Sequence, residues 1–145
     1  MITIKRIESI DELKDCLHIR RMSFIVEKSI PEAIEVDSYD KYPSEIMHFL
    51  VLEGDVPVST FRAMPLDDHS VKLQRICTLK AYRGMGYGRA AMDFASSYFR
   101  SSGYSCLMLH SQDDSVGFYK KCGFKVTSDM FIEADIPHYE MKKTL

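Results

Sequence analysis

Short apolar alternations separated by polar segments characterise the first half of the chain. The alternation in Ile2, Ile4 and Ile7 predicts a short first strand. Ser9 and Asp11 are candidate caps for a helix that runs to about Phe24. The following segment, residues 29–44, contains two prolines, so we predict that it is irregular.

Three strand candidates follow this irregular segment, over residues 48–53, 56–64 and 71–79. The first two are separated by Gly54 and Asp55, and the second and third by residues 65–70, which are rich in polar residues. Both connections are typical of hairpins, so we predict that consecutive strands are neighbours.

The second half begins with a glycine-rich turn over residues 83–88, after which apolar residues recur at helical spacing. This stripe predicts a helix that ends near Gly103 and comprises Ala91, Phe94, Ala95 and Tyr98. The other predicted elements are a strand at residues 107–109, a short helix capped by Asp113 or Asp114 and ended by Gly123, and a strand over residues 136–142. Strands followed by helix, strand, helix and strands predict a mixed α/β sheet.

Composition places the chain among ordinary globular proteins. It has 145 residues, of which 46% are hydrophobic and 28% charged, and this predicts one domain over residues 1–145. The formal charge of −2 provides no basic excess for phosphates, so we expect no nucleic-acid partner. The longest apolar stretches cover four residues, whereas a membrane span needs about 20. We therefore expect a soluble protein without a membrane partner.

The amino-terminal segment and the cysteines indicate the compartment. Charged residues begin at Lys5, so the segment has no apolar signal core. The four cysteines lie far apart, with no C-x-x-C pair and no interleaved histidine; they are Cys16, Cys77, Cys106 and Cys122. We expect a cytoplasmic protein with reduced thiols and no metal site.

The glycine-rich turn carries the clearest chemical signal. Its sequence, Arg-Gly-Met-Gly-Tyr-Gly, connects a predicted strand to a predicted helix. Unpaired N–H groups and the helix dipole favour an anion at such a place, and glycines allow close backbone approach. The turn suits a diphosphate held by main-chain donors beside Arg83, while a plain strand-to-helix turn is the alternative.

Two other phosphate-binding motifs fit the turn less well. A P-loop requires a Gly-Lys pair, and the chain contains none. Residues 86–91 match the G-x-G-x-x-A of dinucleotide-binding folds, with Asp113 following after a strand. That fold places its loop after the first of several βαβ units, whereas only 57 residues follow Gly88 here.

Arg83, Gly86 and Gly88 match the [QR]-x-x-G-x-[GA] motif of the GNAT acetyltransferases, which the sequence resembles over about residues 46–143. Residues 118–124 resemble the aromatic-Tyr-x-x-x-Gly-Phe signature of that family. The resemblance implies a single-domain α/β (α+β) fold with a mixed central sheet of about six to seven strands and about four flanking helices. Gln112 stands where many members have asparagine, and a small bacterial subgroup tolerates this change.

The resemblance also implies acetyl-CoA (coenzyme A) as the cofactor. The loop would bind its diphosphate, the backbone at Cys77 and Leu79 its pantetheine arm, and the N–H of Thr78 or Leu79 its thioester carbonyl. Tyr119 is implied as the general acid for the CoA thiolate, because tyrosine titrates near 10 and a thiol near 8.5. The predicted cofactor-binding residues are Cys77, Thr78, Leu79, Arg83, Gly84, Met85, Gly86, Tyr87, Gly88, Arg89, Gln112, Phe118 and Tyr119.

The predicted acceptor is an amine of a small molecule or peptide, which must lose a proton before it attacks. Glu27 is the predicted catalytic base, His48 and His138 are further candidates, and bound water is the alternative. Arg62 and Arg75 are candidates for binding an acceptor carboxylate. The residues predicted to face the substrate are Phe24, His48, Arg62, Arg75 and His138.

Other interpretations concern the acidic segment, the thiols and the class of protein. We interpret the acidic residues 32–40 as a solvated loop, with attraction of a cationic amine as the alternative. Neither Cys77 nor Cys106 has a sequence cue for a lowered pKa, so direct transfer is preferred over an acetyl-cysteine intermediate. A non-catalytic CoA-binding or acyl-CoA-binding module is the alternative to an enzyme, and an interaction domain is a third hypothesis. Homodimers are common in the family that the sequence resembles.

Overall fold

The computed structural model describes all 145 residues and contains eight strands and four helices. The strands are β1 (Ile2–Arg6), β2 (Met47–Glu53), β3 (Val56–Pro65), β4 (Ser70–Thr78), β5 (Cys106–Gln112), β6 (Lys125–Val126), β7 (Phe131–Glu133) and β8 (Ile136–Thr144). The helices are α1 (Ile10–Arg20), α2 (Glu32–Glu35), α3 (Tyr87–Ser101) and α4 (Val116–Lys121). A π-helical turn (Arg21–Val26) extends α1, and 3-10 turns cover Lys80–Tyr82 and Asp113–Ser115. None of the helices combines the length and the apolar character that crossing a membrane requires.

The strands form one mixed sheet in the order β1-β2-β3-β4-β5-β8-β6, with β7 paired to β8. β4 and β5 run parallel over four residue pairs, the first joining Ser70 to Cys106 and the last joining Leu73 to Leu109. β1, β2 and β3 pair antiparallel, as β8 does with β5, β6 and β7. The predicted α+β fold with a mixed sheet and four helices is confirmed, with eight strands.

Contacts divide the chain into two compact units, the first comprising Met1–Ala63 and Arg75–Ala91. In this first unit the apolar face of α1 contributes Leu13, Cys16 and Ile19 to a core that also contains Leu50 of β2. Ser9 caps α1, because its side chain accepts a hydrogen bond from the N–H of Glu12. The predicted helix start is therefore confirmed, with Ser9 rather than Asp11 as the cap.

The second unit comprises Met64–Gln74 and Met92–Leu145. Its part of α3 buries Met92, Ala95 and Phe99, which recur at helical spacing. Buried and partly buried residues alternate along β5, with Leu107 and Leu109 on the buried face. This alternation gives the unit a core like that of the first, built from one helix stripe and one face of the sheet.

Three features of the fold differ from the predictions. The helix predicted to reach Phe24 becomes π-helical after Arg20, and the segment predicted as irregular contains α2. β7 was not predicted, because its turn to β8 uses Ala134 and Asp135 at positive φ in place of glycine. The prediction of Asp113 or Asp114 as a cap is wrong, since both lie in a 3-10 turn and α4 begins after Ser115.

Candidate active site

A 3-10 turn connects β4 to the loop of residues 83–88, and α3 begins within this loop, at Tyr87. Gly84 and Gly86 have φ values of 76° and 89°, a region that glycine adopts without strain. The first bond of α3 runs from the N–H of Ala90 to the carbonyl of Gly86, 3.0 Å away. None of the five backbone N–H groups of residues 84–88 donates a hydrogen bond within the protein. This segment therefore presents consecutive unpaired donors at a helix N-terminus, an arrangement that binds anions.

The side chains of this loop do not all face the same way. Met85 is 62% exposed, whereas Tyr87 is buried and donates its hydroxyl to Glu53 Oε1 at 2.9 Å. Tyr87 can therefore contact a ligand at the loop through its backbone but not through its side chain. Arg89 lies exposed in the first turn of α3.

Arg83 is held by two other parts of the first unit. Its Nε donates to the carbonyl of Thr78 at 2.9 Å, and its Nη1 and Nη2 donate to the two carboxylate oxygens of Glu27 at 2.8 and 2.7 Å. The hydrogen bonds from Arg83 lower the pKa of Glu27 and raise that of the guanidinium. Glu27, the predicted base, is therefore an ion-paired carboxylate with a weakened affinity for a proton.

The end of β4 was predicted to bind the pantetheine arm. The carbonyl of Cys77 accepts a hydrogen bond from Ser59 Oγ at 2.8 Å, and the N–H of Leu79 donates to the carbonyl of Val58 at 2.9 Å. The prediction that Leu79 N–H polarises the thioester is wrong, because that donor is already used. The N–H of Thr78 is the remaining predicted donor.

A buried charge network occupies the segment that was interpreted as a solvated loop. Arg20 Nε lies 2.7 Å from Glu35 Oε1 and its Nη1 lies 2.6 Å from Asp40 Oδ1, and the side chains of all three are at most 3% exposed. Burial opposes ionisation of Asp40, but the hydrogen bonds and charge of Arg20 outweigh it and lower the pKa of Asp40 to about 2. The solvated-loop interpretation is therefore wrong for Glu35 and Asp40.

The two arginines predicted to bind an acceptor carboxylate belong to the same network. Arg62 is buried and donates to both carboxylate oxygens of Asp37, at 2.9 and 2.6 Å, and to Asp40 at 3.0 Å. Arg75, at the positive φ of 53°, donates from Nε to the carbonyl of Glu35 at 3.1 Å. Both guanidinium groups bind this chain's own acidic segment, so the structure provides other partners for them than an acceptor carboxylate.

His48 and Phe24, also predicted to face the substrate, lie in the first unit too. His48 is buried on β2, and its Nε2 lies 2.9 Å from the carbonyl oxygen of Tyr39. Burial lowers the pKa of His48, which favours the neutral imidazole. The imidazole also lines a cavity of about 300 Å³ with Arg6, Glu8 and Tyr42. Phe24 lies in the π-helical turn, partly buried.

The remaining predicted residues lie in the second unit. Tyr119 is buried in α4, and its ring contacts Phe118 and Phe124 edge-on, at centroid distances of 5.0 and 5.9 Å. Gln112 ends β5 and pairs with His138 of β8. His138 is buried, with Nδ1 2.7 Å from the carbonyl oxygen of Ile136. These side chains are anchored on regular elements of one unit.

Comparison with known proteins decides the family. A family model described as an acetyltransferase (GNAT) domain matches residues 18–145. The uncharacterized N-acetyltransferase YjcF of Bacillus subtilis is 35% identical over 134 residues, covering 92% of this chain and 93% of YjcF. This chain belongs to the GNAT acetyltransferase family. The family makes it an acetyl-CoA-dependent N-acetyltransferase.

Solved structures agree with the fold of this GNAT enzyme. A crystal structure from Lactobacillus plantarum matches with a TM-score of 0.91 and 29% identity, covering 99% of this chain and 98% of that chain. A GNAT acetyltransferase from Elizabethkingia anophelis with acetyl-CoA bound has a TM-score of 0.72 and 15% identity, covering 99% and 98% of the two chains. The second likeness, at low identity, concerns the fold alone.

Sequence reasoning missed two groups in this GNAT enzyme. Arg20 was not predicted as a site residue, because its carboxylate partners, Glu35 and Asp40, lie 15 and 20 residues away. The acidic segment that contains them was noted, but not its contact with Arg20. His110, whose Nδ1 lies 3.0 Å from Glu133 Oε1, depends on the unpredicted β7 for that contact. The signal for Arg20 was an arginine on an apolar helix face followed by a compensating acidic segment.

Proposed function

We propose that this enzyme transfers the acetyl group of acetyl-CoA directly to an amine of a small molecule or peptide. The observation that carries the proposal is the run of five unpaired backbone N–H groups at residues 84–88. Diphosphate oxygens would accept hydrogen bonds from these donors at the positive end of α3. The backbone of Thr78 would contact the pantetheine arm, with its N–H directed at the thioester carbonyl.

The proposed chemical step is an acyl transfer with Tyr119 as the general acid. The amine nitrogen forms a bond to the thioester carbonyl carbon, the carbon–sulfur bond breaks, and the CoA thiolate leaves. The hydroxyl of Tyr119 gives its proton to the sulfur. The amine releases its proton to water, and solvent returns a proton to the Tyr119 oxygen. Phenols are ordinarily protonated at neutral pH, which a proton donor requires.

Direct transfer is supported by the state of the Cys77 thiol. Burial raises the pKa of the Cys77 thiol to about 12, so the nucleophilic thiolate is scarcely populated at neutral pH. An acetyl-cysteine intermediate at this position would require that thiolate. The acetyl group is therefore proposed to pass from sulfur to nitrogen in a single transfer.

Bound water is the proton acceptor that we propose for the amine. Each predicted side-chain base has a partner: Glu27 binds Arg83, His48 contacts the carbonyl of Tyr39, and His138 contacts that of Ile136. A base that already makes strong hydrogen bonds loses them when it takes a proton or turns toward the substrate. Water avoids this cost.

Calorimetry with acetyl-CoA and with CoA tests the proposed function, followed by thiol release in the presence of a panel of amines. We expect saturable binding of both CoA compounds at micromolar concentrations, and release of free CoA thiol that depends on an amine. N-acetylcysteamine thioester, which lacks the diphosphate, is the control for the loop. Failure of the protein to bind either CoA compound would remove the proposal.

A further inference from the structure

The contact between Glu27 and Arg83 joins two distant parts of the first unit. The residues lie 56 positions apart, and both carboxylate oxygens of Glu27 accept hydrogen bonds from Arg83. Arg83 also donates to the carbonyl of Thr78 at the end of β4. The guanidinium thus connects the end of the π-helical turn, the end of β4 and the first residue of the glycine loop. We call this set of three residues the clasp.

The glycine loop has few other contacts that define its shape. A Cβ atom built on Gly84 or Gly86 would meet no atom within 4 Å, so no other part of the protein packs against these two positions on that side. On the helix side it is held by the bond from Ala90 to Gly86 and by the buried side chain of Tyr87, whose hydroxyl donates to Glu53. On the strand side its backbone bond is the 3.3 Å contact from Arg83 N–H to the carbonyl of Lys80. The clasp is the strong attachment on that side, because bidentate arginine–carboxylate contacts are the most directional ion pairs.

We propose that Glu27 is a positioning residue that sets the affinity for coenzyme A by holding Arg83, and that it takes no part in proton transfer. The inference rests on the proposed function, because it assumes that the loop amides bind the CoA diphosphate. Three of the five guanidinium N–H groups of Arg83 are used in the clasp. The clasp therefore fixes the direction in which the chain enters residues 84–88.

Loss of Glu27 has two opposing effects on CoA binding. Removing its negative charge leaves Arg83 unneutralised, which by itself would tighten binding of the diphosphate. Releasing Arg83 also frees the part of the loop before α3, so that the amides of residues 84–86 have to be ordered when CoA binds, which weakens binding. The Arg83 side chain is 44% exposed, so solvent and salt screen the charge effect. We expect the loss of order in the loop to outweigh the charge effect, so that CoA binds more weakly.

The principal test compares Glu27→Gln with Glu32→Gln in the full-length protein. Glu32 is a matched control, because it also pairs with an arginine, Arg21 at 2.9 Å, and it lies outside the loop. We expect Glu27→Gln to raise the dissociation constant of CoA by about tenfold, equivalent to about 1.4 kcal/mol. Its kcat at saturating acetyl-CoA and the pH profile of kcat remain those of the wild type. Glu32→Gln leaves CoA binding unchanged.

Two further measurements separate positioning from a general structural effect. Turnover of S-acetylpantetheine, which lacks the diphosphate, should be the same in Glu27→Gln and wild type. Arg83→Gln should raise the CoA dissociation constant similarly, and the double variant should bind no worse than the weaker single variant. Thermal unfolding checks that each variant is folded, and Arg83→Gln serves as the second probe where Glu27→Gln is unstable.

Each alternative outcome has a separate meaning. Tighter or unchanged binding of CoA to Glu27→Gln overturns the inference while leaving the proposed function in place. A large fall in kcat with both acetyl donors, together with loss of one limb of the pH profile, identifies Glu27 as the base and also overturns it. Wild-type protein that binds no CoA removes the proposed function itself.

Discussion

Tyr119 has a packing role and a proposed role as acid, and removing its hydroxyl oxygen separates the two roles. Its ring contacts Phe118 and Phe124, and phenylalanine at this position keeps those contacts. Tyr119→Phe should therefore fold normally but leave the CoA thiolate without a proton donor. We predict a fall in kcat of about 10²-fold, with the affinity for acetyl-CoA nearly unchanged.

The measurement is steady-state kinetics by thiol release, with circular dichroism as the check on folding. Tyr104→Phe is the matched control, since Tyr104 lies in the same unit and its ring contacts Phe99 edge-on at 5.8 Å. We expect wild-type kcat for that variant. Wild-type turnover by folded Tyr119→Phe would exclude Tyr119 as the acid.

Single residues were predictable where their partner lies close in sequence or is the backbone. Ser9 was predicted as a cap because the N–H it binds is three residues away. Arg62 was assigned to the acceptor because its true partner, Asp37, lies 25 residues away in a segment without a regular pattern. Glu27 was interpreted as a base for the same reason, since nothing local reveals its contact with Arg83. Charge pairing across long separations depends on the tertiary fold.

At the level of elements, the loop before α3 depends on glycine backbone geometry. Gly86 has a φ of 89°, and a Cβ there would meet no atom within 4 Å, so the penalty of alanine comes from the backbone alone. We predict that Gly86→Ala turns the loop away from this geometry, misaligns the amides of residues 84–88 and weakens CoA binding by about tenfold or more. Calorimetric titration with CoA measures the effect.

Gly54→Ala provides the control for this loop variant. Gly54 has a φ of 59° and an equally open Cβ position, but it lies in the turn between β2 and β3. Both variants should lower the melting temperature by a few degrees, since each costs about 1–2 kcal/mol of backbone strain. Equal CoA affinity of the two variants would contradict a role for the loop backbone.

The charge network links α1, α2 and β3 through buried ion pairs, and Asp40 is its central acceptor. Asp40 contacts both Arg20 and Arg62, and its side chain is fully buried. Asp40→Asn leaves two buried guanidinium groups short of a counter-charge. We predict a loss of about 3–5 kcal/mol in the free energy of unfolding, measured by urea denaturation. Glu45→Gln, which breaks an exposed pair with Lys41, should change it by less than about 1 kcal/mol.

The same carboxylate should make the stability of the protein depend on acid pH. Its pKa lies near 2 in the folded protein, below the ordinary 3.8. A lowered pKa contributes stability that is fully present above about pH 4 and is lost as the pH falls toward about 2. The contribution is about 2 kcal/mol. Urea midpoints measured across this range should fall less steeply in Asp40→Asn, and parallel curves would contradict the assignment.

Elements with a strong periodic pattern were predictable, and those held by tertiary contacts were not. α3 and the strands β2, β3 and β4 follow clear helical or alternating patterns, and their predicted positions agree with the structure to within a few residues. The π-helical turn Arg21–Val26 has the local composition of ordinary helix, so no pattern distinguishes it. α2 is too short, at four residues, for periodicity to be visible.

At the scale of the whole molecule, the proposed direct transfer constrains how the two substrates bind. If the acetyl group passes straight from sulfur to nitrogen, acetyl-CoA and the amine must occupy the protein together. A transfer through a cysteine would instead release CoA before the amine enters. The two routes therefore differ in their kinetics even though they give the same products.

We predict intersecting lines when initial rates are plotted reciprocally against acetyl-CoA at several fixed amine concentrations. The reason is the high pKa of the Cys77 thiol, about 12, which keeps that group protonated and poorly nucleophilic at neutral pH. Protein incubated with acetyl-CoA alone should accordingly retain its unmodified mass. Parallel lines together with an acetylated protein would establish a covalent intermediate. In that case the acetylated residue, located by peptide mapping, would replace direct transfer as the route between the two substrates.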